Sequence, residues 1–201
     1  MLEGLNQLIS EMKGTMGSDD IFSGMFTDDM PSQRVERELR ERVAAVHYDD
    51  YLGELVKSHS VPVMDHEVDR FLTNMPENAL VLDIGGCWGW HWRRLSNIRP
   101  DVGVVIVDFV RSNLLHARRV LGDMVGNQVI LMHADALSLP FPDSDKTTVA
   151  FDGVWTVQVF QHIPDYKFAC QETYRVLKFG GCFMSYSLHT TPLNRVIYRL
   201  F

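Results

Sequence analysis

Two aspartates and three glycines carry the chemistry that can be read first from this chain. Asp83 lies two residues before Gly85 in the run Val81-Leu82-Asp83-Ile84-Gly85-Gly86-Cys87-Trp88-Gly89. The paired glycines allow a tight turn with no side chain in the way. A dinucleotide-binding turn usually has no acid at the position of Asp83. A carboxylate there suits a ligand with a cationic amino-acid end better than a pyrophosphate. Asp108 stands nineteen residues beyond Gly89, at the end of a second apolar run. An acid about 20 residues past such a turn can accept hydrogen bonds from both hydroxyls of a ribose. The plain alternative for each acid is a solvated strand end or a helix cap, and for the glycines a tight turn and nothing more.

These residues need strands that end where they sit. The apolar runs Ala79–Ile84, Val102–Val107, Gln128–His133, Ala150–Val157 and Cys182–Leu188 read as five strands. Between them, Trp88–Ile98, Ser112–Leu121 and Asp165–Lys178 show helical spacing, with Ser112 as an N-cap and Gly180-Gly181 as a C-terminal stop. Strands alternating with helices predict an α/β fold, a doubly wound, mostly parallel sheet covered on both faces. Ligands bind such sheets at the C-terminal strand ends, where Asp83, Gly85, Asp108, Asp135 and Thr156 all fall. Upstream, Met1–Lys13 reads as a short amphipathic helix, and residues 14–32 as a linker or mobile lid. Val35, Leu39, Val43 and Val46 form the apolar face of a helix running from Gln33 to about Val56, and a second helix covers Asp65–Asn74. The expected domains are a mobile segment 1–32, a helical cap 33–76 and a Rossmann-like ligand-binding domain 77–201.

The chain has 201 residues, 46% hydrophobic and 22% charged, with net charge −7. An acidic balance argues against nucleic acid or an anionic membrane as the main partner. Cys87, Cys170 and Cys182 form neither a metal-ligand spacing nor a disulfide framework, so the expectation is no metal and a reducing cytoplasm. No apolar run reaches the length of a membrane span, and no signal peptide is visible.

Six segments in order resemble the class I S-adenosylmethionine-dependent methyltransferases, in the small-molecule branch that includes the ubiquinone/menaquinone-biosynthesis enzymes. They are Val81 to Gly89, Val107-Asp108, Ala134-Asp135-Ala136 with Leu139-Pro140-Phe141, Phe151-Asp152-Gly153-Val154, Gln161-His162-Ile163, and Arg175-Val176-Leu177-Lys178-Phe179-Gly180-Gly181. The resemblance covers about Ala79 to Leu188 and implies methyl transfer from S-adenosylmethionine to a small-molecule acceptor, on oxygen or carbon rather than nitrogen. It implies that Asp83 and the turn of Gly85, Gly86 and Gly89 hold the methionine end. Asp108 would bind the ribose, with Phe109 against the adenine. Asp135 would bond the adenine amine, with Ala136 beside it, and Thr156 and Val157 would lie under the sulfonium. Gln161 and His162 would stand at the rim, His162 as general base; the alternative is a cap for the next helix. His189 is a second base candidate. Trp88, Trp90, His91 and Trp92 read as packing, with Trp88 also able to wall the cofactor.

This sequence departs from the family pattern in three ways. Cys87 stands where the turn usually has its middle glycine, Phe179 replaces a proline, and the chain stops at Phe201, before the family's last helix and two strands. The fifth strand would then be an edge unless the N-terminal segment covers it. Hence a second expectation, a non-catalytic or truncated cofactor- or partner-binding protein on the same fold. A third, a nicotinamide dehydrogenase, is disfavoured by Asp83. The Tyr174-x-x-x-Lys178 spacing reads as chance, because a dehydrogenase would not place its catalytic helix there.

Overall fold

The computed structural model describes residues 1–24, 26, 34–42, 44, 60–145 and 149–187. Seven strands form one sheet: β1 Thr15–Met16, β2 Ile21–Ser23, β3 Leu80–Ile84, β4 Gly103–Asp108, β5 Val129–His133, β6 Phe151–Val157 and β7 Leu177–Tyr186. Their spatial order is β1-β2-β5-β4-β3-β6-β7, and only the β1–β2 pair is antiparallel. Strand order reverses at β3, which pairs with β4 on one side and β6 on the other. That reversal opens a crevice beyond the C-terminal ends of β3 and β6, where α/β sheets take ligands.

Four of the five expected strands, β3 to β6, form as strands buried on both faces, as continuous apolar runs require, while β7 is half-exposed. All residues of β3 and β4 are buried. One face carries α1 (Glu3–Glu11), through Leu5 and Leu8, and Val176 of α5 (Tyr166–Val176). The other carries Val68, Phe71 and Leu72 of α2 (Ser60–Thr73), Leu95 of α3 (Leu95–Ile98), and Leu114, Ala117 and Leu121 of α4 (Arg111–Leu121). No helix among the described residues is long and apolar enough to cross a membrane.

Four local expectations are corrected. Residues after Gly14, read as a linker, supply β1 and β2, and Ile21 is fully buried beside Leu131 of β5. This pairing puts the N-terminal segment on the β5 edge, so β7 is the opposite edge among the described residues. The helix expected over Trp88–Ile98 is instead a 3-10 turn, Trp90–Trp92, followed by the single turn of α3. Ser112 does not cap α4: its hydroxyl and the Arg111 N–H both donate to Glu41, far away in sequence. Finally, α5 stops at Val176, and Gly180-Gly181 lie inside β7. Phe151 pairs with Leu177 and Gly153 with Cys182, so the glycines sit in an irregular stretch that absorbs the extra residues. Asp165 supplies the N-cap of α5 by accepting from the Phe168 N–H at 3.2 Å, so the helix does not need His162.

Residues 34–42 and 44 are helical, as expected, and Ala44 is buried. Val35 and Leu39 are exposed rather than inward. The expected continuation to Val56, and His189, lie outside the described residues.

Candidate ligand site at the strand ends

Asp83 is the penultimate residue of β3 and is 1% exposed. Its Oδ2 accepts from the buried Trp92 indole Nε1–H at 2.6 Å. Burial pushes its carboxyl up to about 7; the Trp92 hydrogen bond opposes this, and the neighbouring Asp108 adds to it. The turn that follows is dictated by close approach. Gly85 has φ +70°, and a Cβ there would lie 2.3 Å from a Val159 methyl. A Cβ on Gly86 would lie 2.2 Å from Asp83 Oδ2. Gly85 N–H donates to Val107 O at 2.7 Å, which ties the turn to β4.

Asp108 ends β4, buried like Asp83. Its Oδ1 accepts from the Val110 N–H at 2.8 Å, and its Oδ2 from the Cys87 N–H at 3.0 Å. Burial raises its carboxyl to about 6 against the pull of those donors. Asn113 Nδ2 also approaches Oδ1, at 3.4 Å, a long contact that a ligand hydroxyl can displace; each carboxylate oxygen has two lone-pair sites, so the group can then accept from two hydroxyls. The structure thus joins Asp83, Gly85, Gly86, Cys87 and Asp108 into one hydrogen-bonded turn. Two buried carboxylates stand at the ends of adjacent strands, a setting that favours a cationic ligand rich in donors.

Asp135 follows β5 and is buried, its Oδ1 accepting from Leu137 N–H at 2.9 Å. The Ala134 N–H donates to Asp108 O, which brings the two strand ends together. Phe109 and Ala136 are half-buried on the two loops beside them. Across the crevice, Thr156 is buried with no partner for its hydroxyl among the described residues, and Val157 is half-buried next to it. Gln161 and His162 lie in a 3-10 turn just beyond. Gln161 Nε2 donates to Gln158 Oε1 at 2.8 Å and lies 3.2 Å from His162 Nε2. The other imidazole nitrogen, Nδ1, is 3.1 Å from Arg40 Nη2. Burial, then the Arg40 charge, hold His162 below the usual histidine range.

Three sets of contacts were not singled out by sequence reasoning. Val159 fills the space over Gly85. Trp92 holds Asp83. Helix 34–42 spans the strand ends, with Glu41 on the start of α4 and Arg40 on His162. Its alternating charges look like a solvated face in sequence, and no local signal marks them as contacts.

Cys87 has φ +51°, a conformation that costs a residue with a Cβ about 1–2 kcal/mol. Burial pushes its thiol up, so it is a neutral, unreactive group. Cys87→Gly removes the Cβ strain and loosens the unfolded chain, two effects that partly cancel. A net gain of about 0.5–1 kcal/mol in urea unfolding is expected. A loss of stability would show that the thiol's packing outweighs the backbone strain.

Comparisons with known proteins bear on the family and the fold. The methyltransferase domain profile matches residues 82–185. A demethylmenaquinone methyltransferase of Thermus thermophilus is 38% identical over 114 residues, 57% of this chain and 48% of the relative. The chain spans about half the length of the curated relatives it matches. Among solved structures, a Methanococcus maripaludis protein assigned as an S-adenosyl-L-methionine-dependent methyltransferase superposes with TM-score 0.53 at 15% identity, covering 81% of this chain and 68% of that one. The [4+2]-cyclase SpnF superposes with TM-score 0.52 at 23% identity, covering 60% of this chain and 43% of that one. These two likenesses concern the fold alone.

Proposed function

We infer the reaction from the premise that this chain belongs to the methyltransferase-domain family, whose profile spans more than half of it. The proposed reaction is transfer of a methyl group from S-adenosylmethionine to a small-molecule acceptor, on carbon or oxygen rather than nitrogen. The names of the relatives, demethylmenaquinone methyltransferases, support a quinone-type acceptor that lacks one methyl group.

One observation carries the cofactor reading: the Gly85–Gly89 turn held between the buried carboxylates of Asp83 and Asp108. Asp83 would face the ammonium of the methionine end, and Asp108 the ribose hydroxyls, with Phe109 beside the adenine. Asp135 and Ala136 would border the adenine on its other side. Thr156 and Val157 would lie beneath the sulfonium. When bound, S-adenosylmethionine supplies an activated methyl group, and the protein's contribution is alignment and exclusion of water. Helix 34–42 is proposed as the cap that closes the site, because it bridges α4 and His162.

The surroundings of His162 favour an orienting role over proton abstraction. Arginine only donates, so His162 Nδ1 accepts from Arg40, which leaves the proton of the neutral ring on Nε2. Neither nitrogen then has a free lone pair for the acceptor's proton. The Gln161 amide nitrogen, 3.2 Å from Nε2, also only donates, so it makes no hydrogen bond to that N–H. A missing general base costs about 100-fold or more. His162→Ala is therefore expected to lower turnover by no more than about ten-fold, with S-adenosylhomocysteine binding unchanged. A loss of about a thousand-fold in kcat would restore His162 as the base.

The test of the reaction uses methyl-labelled S-adenosylmethionine with a demethylated quinol. Label in the acceptor supports the proposal. Tight cofactor binding without transfer to any acceptor would favour the second reading, a cofactor-binding protein without turnover, for which Cys87 in the turn is the specific observation.

A further inference from the structure

We propose that Trp92 is a positioning residue of the cofactor site, its indole N–H fixing the Asp83 carboxylate in the orientation that receives the cofactor's ammonium. The inference rests on the cofactor reading given above. In sequence, Trp92 is one of three tryptophans just after the glycine turn, and it looks like packing. The 3-10 turn changes that. The Trp92 N–H bonds back to Gly89 O at 2.9 Å, which folds its side chain under β3.

The contact with Asp83 has no substitute. Trp92 is 0% exposed and Asp83 1%, so water cannot replace the indole. At 2.6 Å the bond is short, as a charged acceptor favours. The same oxygen, Oδ2, is walled on another side by Gly86, where a Cβ would lie 2.2 Å away. With Oδ2 engaged by Trp92, a ligand ammonium is left to Oδ1. The Trp92 ring is locked in turn, edge-on against Trp155 at 6.1 Å, and Trp155 packs on Phe71 at 5.2 Å and Tyr186 at 5.0 Å. Aromatic residues of α2, β6 and β7 thereby hold the rotamer of a carboxylate on β3.

Besides Trp92, the titratable groups facing Asp83 are the Asp108 carboxylate from β4 and the Cys87 thiol of the turn. Asp108 disfavours the Asp83 charge, and Trp92 favours it. Ammonium binding needs that charge. Without the indole N–H, the carboxyl keeps its proton to higher pH.

The experiment measures S-adenosylhomocysteine binding from pH 5.5 to 9 for the wild type and Trp92→Phe. It also follows the indole 15N–H resonances of the wild type and Asp83→Asn. The expected result is a lower pH limit of binding moved up by about one unit in Trp92→Phe, with affinity at pH 9 still several-fold below wild type because the ionised carboxylate is no longer oriented. One indole resonance, absent in Trp92→Phe, should titrate with pH and stop titrating in Asp83→Asn. A tryptophan that only packs would lower Tm and leave the pH profile in place; that outcome overturns the inference. If Trp92→Phe does not fold, the indole titration and its loss in Asp83→Asn decide alone, and no titrating indole overturns the inference. Absence of binding to the wild type at every pH overturns the cofactor reading, and this inference with it.

Discussion

Asp108→Ala is expected to lose S-adenosylhomocysteine binding by about 100-fold or more and also to cost the free protein about 2–4 kcal/mol. Both effects come from one buried carboxylate that faces two ways. Toward the protein, it accepts from the backbone N–H groups of Val110 and Cys87. Removing it leaves both donors without their acceptor in a buried position, at about 1–3 kcal/mol each. Toward the proposed cofactor, it would offer acceptors to two ribose hydroxyls, and a hydrogen bond to a charged group is worth about 1.5–3 kcal/mol. Two such bonds correspond to roughly two to four powers of ten in affinity. Calorimetry reads the first effect and urea unfolding the second. Asp108→Asn separates them: its Oδ1 satisfies one backbone donor, while its NH2 faces the other and cannot accept from ribose. It should keep more stability than the alanine variant and still bind poorly. Binding by Asp108→Ala within about five-fold of wild type would remove the ribose role.

Asp83→Asn moves stability and binding in opposite directions. The Asp83 carboxyl titrates near 7 in the folded protein, against an ordinary 3.8. The folded state therefore holds this proton more tightly than the unfolded chain does. The resulting stability is fully present below pH 3.8 and is lost as pH rises through 7. At pH 8 the wild type carries a buried charge whose cost approaches about 4 kcal/mol, by the size of the shift. Asparagine removes that charge and can still accept from the Trp92 indole. Asp83→Asn should be the more stable protein at pH 8, by a few kcal/mol at most, and the advantage should shrink toward pH 5. The same change removes the charge that would face the cofactor's ammonium, so binding should fall by at least ten-fold. Urea unfolding at the two pH values, paired with calorimetry at pH 8, checks both signs. An Asp83→Asn protein less stable than wild type at pH 8 would mean that the carboxylate is better solvated or paired than its burial implies.

Much of the site was legible because its parts are local. β3, β4 and β5 are apolar runs bounded by polar residues, and strands buried on both faces must look like that. Gly85 and Gly86 are required by their own backbone and by side chains that crowd them. Asp83, Asp108, Asp135 and Thr156 stand at strand ends, so placing the strands placed them too. Their roles toward a bound cofactor remain the proposal that the calorimetry tests.

What failed in the reading depended on partners distant in the chain. Ile21 pairs with Leu131 across more than a hundred residues, and a strand as short as β2 carries no period of its own. The sequence after Gly89 has helical spacing, but the Asp83–Trp92 bond holds the chain in a tighter turn. The start of α4 is served by Glu41 rather than by its own Ser112, and His162 is held by Arg40. Gly180-Gly181 would stop a helix in isolation, yet pairing with β6 draws the chain into β7 at Leu177, before the glycines are reached. By itself, the sequence determined which segments are buried strands and where their carboxylates end, because apolar spacing and glycine conformation act within a few residues. Only the tertiary structure decided which indole, arginine or glutamate meets each of those ends, because a side-chain hydrogen bond is chosen by proximity in space and leaves no periodic trace along the chain.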